Sequence, residues 1–313
     1  MQNKQKTYDP FYSAQLFGLN NYFYNLRKNY ELNNLPNVTM LSGKKGIGKF
    51  TLVNHFLISL FDGKNYDLDN LILNKDSEVY AQHLNNTFQN IIVLNRSDTN
   101  KIKMEDVRNL KNILSNSIMN FLPRFIVIDN VDQLTVNVAN ALLKILEEPT
   151  GKNFFILINN QEGNILETIN SRTIETKLFI SDTVKISIIK KLIQYHDLKE
   201  IIDYKNIDVT PGNFLTYNNL CLDNDISLES NYIDEIYKIL NLYKKSKNRD
   251  FIKFSFFLTN LYFFKLTKKN INNIFLFDKL KSDTIKLIND YAIYNLNLST
   301  VLNTIHTKIK NEK

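Results

Sequence analysis

The sequence predicts an α/β domain built on a parallel sheet, followed by an all-helical region. Three short and almost continuously apolar runs, at 91–94, 125–128 and 154–158, are typical of strands that are buried on both faces of a parallel sheet. Helical patterns separate these runs, and the alternation of strands with helices is typical of this fold class. From about residue 181 to the end, the sequence shows helical spacing and no further run of the buried-strand type.

A glycine-rich segment, GKKGIGKFT, is the most informative stretch of the chain. It follows an apolar run at 38–41 and precedes a helical pattern, and this order of strand, loop and helix is the context that a phosphate-binding loop requires. Its glycines permit a tight turn and close approach of the backbone to a phosphate. The candidate nucleotide ligands of this segment are Gly43, Gly46, Gly48, Lys49 and Thr51.

The segment departs from the phosphate-loop motif at one position. The residue after the lysine is normally Ser or Thr, because its hydroxyl holds Mg²⁺, but here it is Phe50. Thr51 comes one residue later, about 100° further round the helix, so we expect it to point elsewhere. Nucleotide binding and a loop kept only for packing both remain open, and the packing interpretation is favoured.

A second candidate element is the segment FIVIDNVD, which ends the apolar run at 125–128 with Asp129. An aspartate at this end of a strand is where an ATPase of this kind holds its Mg²⁺, although a strand-end cap is the simpler alternative. The next residue normally carries a carboxylate that activates water. Here it is Asn130, whose amide cannot accept a proton, so we do not expect hydrolysis at this site.

Two later segments are less specific when they are read from the residues alone. NALLKILEEP, at 140–149, is an amphipathic helix of the ordinary core-packing type. Ser171 and Arg172 follow a short predicted helix at 165–170. An arginine there could lie exposed at a domain edge and stabilise phosphoryl charge in a neighbour, but spacing alone favours a surface ion pair.

The net charge of +7 and the pI near 9.1 allow contact with nucleic acid, but the lysines are spread along the chain. We therefore attribute most of them to a general bias towards Asn, Lys and Ile. The densest cluster, at 244–249, is predicted to be a solvated helix end. No recognition motif for a DNA sequence is visible, so sequence-specific DNA binding is the least supported function.

Other functional classes are disfavoured. The single cysteine, Cys221, cannot form an internal disulfide or supply a cysteine zinc site, and the four histidines show no metal-ligand spacing. No signal peptide and no membrane-spanning run are evident, so we expect no membrane partner, and a reducing cytoplasm is the simplest setting.

Taken together, these motifs resemble the delta-prime subunits of the bacterial DNA polymerase III clamp loader. The resemblance rests on LFG at 16–18 and then GKKGIGKFT, FIVIDNVDQL, NALLKILEEP and NSRT in the family's order. It covers about residues 12–180. Beyond 180 it rests on length, helical character and a predicted loop at Pro211 and Gly212.

The resemblance implies an AAA+ ATPase-like domain at 1–180, a small helical lid at 181–220 and a helical collar at 221–313 that oligomerises. It implies a subunit of the DNA polymerase III holoenzyme, in a ring-like pentamer with gamma or tau and delta subunits. This pentamer opens the sliding clamp and places it on primed DNA. Family members of this type typically act as a stator and do not hydrolyse ATP.

The resemblance also assigns a role to the NSRT segment. Delta-prime subunits donate an arginine from an SRC motif to a neighbouring ATPase site, and Ser171 and Arg172 match that motif, with Thr173 in place of the cysteine. The expectation for Arg172 is therefore an arginine finger that acts in trans. The lid arginine of active relatives would fall near Asn213, so its absence is a third loss at the chain's own site.

No cysteine lies between the phosphate loop and the aspartate strand, so no zinc is expected. Whether ATP or ADP occupies the degenerate loop around Lys49 stays open. Two alternatives to the stator remain. One is a gamma-type ATPase motor, in which Thr51 and Asp132 would replace the missing groups. The other is a non-catalytic assembly scaffold in which Arg172 is inert.

Overall fold

The computed structural model describes residues 8–94, 101–115, 122–147, 149, 152–228 and 231–311. The chain forms two compact units. The first comprises Met1–Leu198 together with Thr210–Asn213, and the second comprises Lys199–Val209 together with Phe214–Lys313. The division into an ATPase-like domain, a lid and a collar stays a prediction.

The first unit is built on a five-stranded parallel sheet with the order β4-β5-β6-β1-β7, which confirms the predicted fold class. The strands of this sheet are β1 (Val38–Ser42), β4 (Ile91–Leu94), β5 (Arg124–Ile128), β6 (Asn153–Asn159) and β7 (Ile174–Lys177). A separate antiparallel hairpin is formed by β2 (Tyr66–Asp67) and β3 (Ile72–Leu73).

The register of the parallel strands places three loops at one edge of the sheet. Ser42 at the end of β1 lies opposite Asn159 at the end of β6, and Ile128 at the end of β5 lies opposite Leu157. The phosphate loop, the Asp129 turn and the segment after Asn159 therefore lie at the carboxyl ends of adjacent strands. In open parallel sheets this edge is where ligands bind.

Helices surround the sheet on both faces, as a parallel sheet requires. The helices of the first unit are α1 (Asn20–Glu31), α2 (Lys49–Phe61), α3 (Glu78–Leu84), α4 (Met104–Ser115), α5 (Val136–Leu146), α6 (Glu167–Asn170) and α7 (Asp182–His196), and α8 (Pro211–Asp223) begins in this unit. Side chains cap several of them. Thr135 accepts a hydrogen bond from the backbone of Val138 at the start of α5, and Ser181 accepts one from Val184 at the start of α7.

The continuous apolar runs of the sequence divide between two cores, because successive residues of a strand point to opposite faces. On one face the strands pack mainly against α1 and α2 through Leu41, Phe125, Val127, Ile156 and Ile158. On the other face they pack mainly against α4 and α5 through Met40, Ile126, Ile128, Phe155 and Leu157.

Some predicted boundaries are wrong for physical reasons. The short helix expected from residue 165 begins at Glu167, because Leu166 is extended. Pro211 and Gly212 do not form a loop but open α8, since proline fits the first turn of a helix. Strand β7 was not predicted from the sequence, because three of its four residues are exposed and its pattern is polar. The sequence also predicts helices at 104–118 and 137–148, and their ends at 116–118 and at Glu148 lie outside the described residues.

All the regular elements among the described residues of the second unit are helices, as the sequence predicted, while residues 199–209 form turns and irregular structure. Its long helices are α9 (Tyr232–Ser246), α10 (Arg249–Lys269), α11 (Ile274–Tyr294) and α12 (Leu298–Asn311). Their core contains Ile236, Ile239, Leu240, Phe254, Ile288 and Ile305, all fully buried. The basic residues at 244–249 are exposed at the turn between α9 and α10, which confirms the expected solvated helix end. Among the residues described, no helix is long and apolar enough to cross a membrane.

The sheet core supplies a stability prediction. Phe125 is fully buried and stacks on Phe154 with ring centroids 5.1 Å apart. We expect Phe125→Ala to lower the free energy of unfolding by about 3–5 kcal/mol, because the lost contacts leave a cavity. Phe179→Ala is the matched control, since that side chain is 80% exposed, and should change stability by less than about 0.5 kcal/mol. Urea unfolding of both variants gives the comparison, and equal losses would contradict the assignment of Phe125 to the core.

Candidate functional site

The phosphate loop connects β1 to α2 and depends on two glycines with left-handed backbones. Gly46 and Gly48 have φ values of 83° and 97°, a region that side-chain-bearing residues rarely adopt. Gly48 is the N-cap of α2, so the loop leads directly into the first turn of a helix. This is the geometry in which backbone N–H groups can meet an anion.

Lys49 is buried and its ammonium group is held by the loop itself. Its Nζ donates hydrogen bonds to the carbonyl oxygens of Gly43 and Lys44, at 2.7 Å and 2.9 Å. Burial lowers the pKa of Lys49 from 10.5 to about 8, while the charges of Asp129 and Asp132 oppose that decrease. The lysine therefore turns inward onto two backbone carbonyls in the conformation described here.

The structure gives Phe50 a packing role. Its ring centroid lies 5.9 Å from that of Phe11, and the side chain packs against the core on the α1 and α2 face of the sheet. An aromatic ring that joins this core offers no oxygen to a metal ion. Thr51, the next residue, is partly buried in the first turn of α2.

The end of β5 forms a polar network with a residue that the sequence analysis missed. Asn160, which follows β6, donates from Nδ2 to Asp129 Oδ1 at 3.0 Å and to Asn130 Oδ1 at 2.8 Å. Asp129 Oδ1 also accepts the backbone N–H of Asn130 at 2.8 Å. The signal for Asn160 was available: it is a polar residue directly after an apolar strand, at the same sheet edge as Asp129.

Backbone conformation explains the asparagine at position 130. Asn130 has a φ of 54°, in the left-handed region where asparagine is strongly enriched. It is also buried and bonded to Asn160, so it contributes to the shape of this turn. The side chain is a neutral amide and cannot take a proton from water.

The carboxylate of Asp132 stabilises the backbone turn that follows β6. Its two carboxylate oxygens accept the N–H groups of Asn160 and Glu162, at 3.1 Å and 2.8 Å. A Cβ at Gly163 would clash with the carbonyl oxygen of Asp132, so the backbones of these two residues approach each other closely. A buried carboxylate that holds two N–H groups in this way does not match the water-activating acid that a motor subunit would need.

Residues 210–213 lie directly on the phosphate loop. The hydroxyl of Thr210 donates to the carbonyl of Lys45 at 2.9 Å, and the N–H of Gly212 donates to the carbonyl of Gly46 at 2.7 Å. A Cβ at Gly212 would lie 2.9 Å from the Cα of Gly46, so only glycine permits this contact. Asn213, where the lid arginine was expected, is also close to the loop: a Cβ built on Gly46 would lie 3.2 Å from its Oδ1.

Arg172 lies at the other edge of the sheet. It occupies the turn between α6 and β7, and Ile174 at the start of β7 pairs with Thr39 near the start of β1. The phosphate loop begins four residues beyond Thr39, about 13 Å away at 3.3 Å per strand residue. The structure therefore brings Lys49 and Asp129 to one edge and places Ser171 and Arg172 at the opposite one.

The guanidinium of Arg172 is held by three acceptors. Nη1 donates to the carbonyl of Thr168 at 2.9 Å and to the hydroxyl of Ser171 at 3.3 Å. Nη2 forms an ion pair with Glu147 Oε1 at 2.6 Å. The ion pair that spacing alone favoured is thus present, yet 35% of the arginine side chain remains exposed.

The parallel sheet, the loop that leads into α2 and the strand-end aspartate define a P-loop ATPase-like domain. A family model described as "DNA polymerase III, delta subunit" matches residues 18–180, just over half of the chain. The chain therefore belongs to this family of DNA replication proteins, which confirms the resemblance to delta-prime clamp-loader subunits.

Individual relatives give the same family. A DNA polymerase III subunit delta' of Pseudomonas aeruginosa is 29% identical over 137 residues, which cover 44% of this chain and 41% of the relative. A subunit delta' of Buchnera aphidicola is 35% identical over 86 residues, or 28% of this chain and 26% of the relative. A subunit gamma of Buchnera aphidicola is 27% identical over 62% of this chain and 52% of its own length. These matches thus span about a quarter to a half of each relative.

Solved structures resemble the chain at low identity. A gamma subunit-related protein of Thermotoga maritima has a TM-score of 0.45 at 13% identity, and the match covers 90% of this chain and 96% of that one. The RuvB Holliday junction branch migration motor of the same organism has a TM-score of 0.39 at 16% identity, with 95% and 86% covered.

The burial of Lys49 leads to a pH prediction. We expect nuclear magnetic resonance of labelled lysines to report a pKa of about 8 for Lys49. Asp129→Asn should lower that pKa further, because it removes a carboxylate that favours the charged form. A pKa near 10.5 in the folded protein would contradict the buried placement.

The same shift predicts the direction of a stability change. The pKa of Lys49 is lower in the folded protein than in the unfolded chain. As the pH rises, the folded protein therefore loses the Lys49 proton at a lower pH than the unfolded chain does. Stability should therefore rise between about pH 8 and pH 10.5, by on the order of 3 kcal/mol relative to Lys49→Met at the same pH values. Urea unfolding of the two proteins across this range measures the difference.

Proposed function

We propose that this chain is the stator subunit of a DNA polymerase III clamp loader, of the delta-prime type. It does not hydrolyse ATP at its own phosphate loop, and it contributes Arg172 to the ATPase site of a neighbouring subunit. The observation that carries this proposal is the position of Arg172. The arginine is partly exposed at the sheet edge opposite the chain's own phosphate loop. It is therefore too far from that loop to act there and is accessible to a neighbouring subunit.

The chain's own phosphate-loop site also supports the proposal, because other residues stand at the positions where an active ATPase has its catalytic groups. Phe50 packs in a core where a magnesium ligand would stand, Asn130 stabilises a turn where a water-activating acid would stand, and Asn213 lies on the loop where a sensing arginine would stand. Each substitution serves the local packing of this chain. Together they favour a structural loop over a motor site.

The chemistry of Arg172 suits a role in trans. A guanidinium is planar, permanently charged and carries five N–H donors, which match the oxygens of a phosphoryl group. In phosphoryl transfer such a group stabilises the charge of the transition state when it is supplied by a neighbour. Ser171 accepts one of the Arg172 hydrogen bonds and so helps to hold the side chain in this turn.

The partners in this proposal are the gamma or tau and delta subunits, with the sliding clamp and primed DNA reached through the complex. The family and the delta' and gamma names of the relatives support this set. The long helices α9 to α12 are proposed as the collar that oligomerises. A degenerate ATP site, no intrinsic ATPase activity and a cytoplasmic setting belong to the same proposal.

The test is the ATPase rate of a complex reconstituted with gamma and delta from the same organism, in the presence of clamp and primed DNA. We expect Arg172→Ala to lower hydrolysis at the affected site on the order of 10³-fold, because the transition-state charge loses its partner. Arg172→Lys should recover little of this loss, since an ammonium cannot reproduce the planar set of donors.

Assembly must be measured on the same samples by size-exclusion chromatography. Arg108→Ala is the matched control, because Arg108 is an exposed arginine of the same unit, on α4, and its loss should leave the rate unchanged. An unchanged rate for Arg172→Ala in an intact complex would leave the scaffold alternative. ATP hydrolysis by the isolated chain would instead favour the gamma-type motor.

A further inference from the structure

We propose that Glu147 is the positioning residue for Arg172. Through its ion pair, Glu147 holds the guanidinium in the orientation in which it meets the nucleotide of the neighbouring subunit. This inference rests on the proposed function of Arg172 in trans and assigns a specific role to the end of the LEEP-containing helix, whose sequence indicated only ordinary core packing.

The three contacts of the guanidinium come from two different elements. The Thr168 carbonyl belongs to α6 and the Ser171 hydroxyl to the turn that follows this helix, so both are local to Arg172. Glu147 is the residue that ends α5, and its Oε1 lies 2.6 Å from Nη2. It is the contact that ties the tip of the arginine to a separate helix.

Glu147 is itself well anchored. Its backbone N–H donates to the carbonyl of Leu143 at 2.9 Å, which continues the hydrogen bonding of α5. That helix packs in the sheet core through Leu142, Leu143 and Leu146, which are all buried. The carboxylate therefore projects from a fixed point of the domain, as a positioning residue must.

The held guanidinium still has hydrogen-bonding capacity. Its contacts with Thr168, Ser171 and Glu147 use three of the five N–H donors. Among the described residues, the Nε–H and the second hydrogen of Nη2 make no such contact. An external phosphoryl oxygen can therefore bind Arg172 while Glu147 remains bound to it, so positioning does not require the ion pair to break.

The exposure of the Glu147–Arg172 ion pair allows an effect on catalytic rate to be distinguished from an effect on fold stability. The side chains of Glu147 and Arg172 are 46% and 35% exposed, and ion pairs at such exposure contribute little to the stability of a fold. The position of a catalytic group is far more sensitive, because a displacement of about 1 Å can cost about 10²-fold in rate. A positioning role therefore predicts a kinetic effect with an almost unchanged melting temperature.

The experiment measures kcat and KM for ATP in the reconstituted, clamp- and DNA-stimulated complex with Glu147→Ala, Glu147→Gln and Arg172→Ala, and with the Glu147→Ala and Arg172→Ala double variant. We expect Glu147→Ala to lower kcat about tenfold with KM unchanged, as a misplaced group would. Glu147→Gln should lose less, since it keeps an oxygen acceptor. On the Arg172→Ala background, removal of Glu147 should have no further effect.

Glu31→Ala is the matched control, because it removes another exposed ion pair, that of Glu31 with Arg27 at 2.9 Å, and should change nothing. An unchanged or increased kcat for Glu147→Ala, beside a large loss for Arg172→Ala, overturns the positioning role and leaves the proposed function intact. Losses that multiply in the double variant also overturn it, since Glu147 would then act independently of Arg172. No loss for Arg172→Ala overturns both proposals.

Discussion

The parallel pairing of β1 with β6 and β7 is the constraint on which the rest of the first unit depends. Because β1 is paired on both sides, the loop that follows it is fixed beside the ends of β5 and β6. The same pairing fixes the start of β7 at the opposite edge and so places Arg172 there. One arrangement of strands therefore separates the phosphate loop from the arginine and gives the domain two candidate functional edges.

At the first edge, four carbonyl groups of the phosphate loop accept hydrogen bonds from the chain itself. Lys49 donates to two loop carbonyls, and Gly212 and Thr210 donate to two others. A bound phosphate would have to draw the Lys49 ammonium away from its two carbonyl partners, and that exchange would cost free energy. In our proposal this loop has become part of the packing of the domain. In the same proposal, the chain contributes to ATP hydrolysis through its second edge, where Arg172 is partly exposed.

The sequence was sufficient for the elements that have a strong local signal. The strands were predictable because burial on both faces makes them continuously apolar, and the long helices because burial on one face gives helical spacing. The glycine loop was predictable from its motif. Strand β7 was not, because an exposed edge strand with the sequence IETK carries no such pattern. The contact of Gly212 with Gly46 and the pairing of Glu147 with Arg172 were also beyond reach. Each joins segments far apart in the chain, and neither residue type indicates its partner.

The most direct test of this account is calorimetric titration of the isolated chain with ATP and Mg²⁺. Because the Lys49 ammonium is held by two loop carbonyls and Phe50 offers no hydroxyl to Mg²⁺, we expect no saturable binding, that is, a Kd weaker than about 1 mM. Saturable binding with a micromolar Kd, abolished by Lys49→Met, would show that the loop opens to hold nucleotide. That result would contradict the view that this loop serves only the packing of the domain.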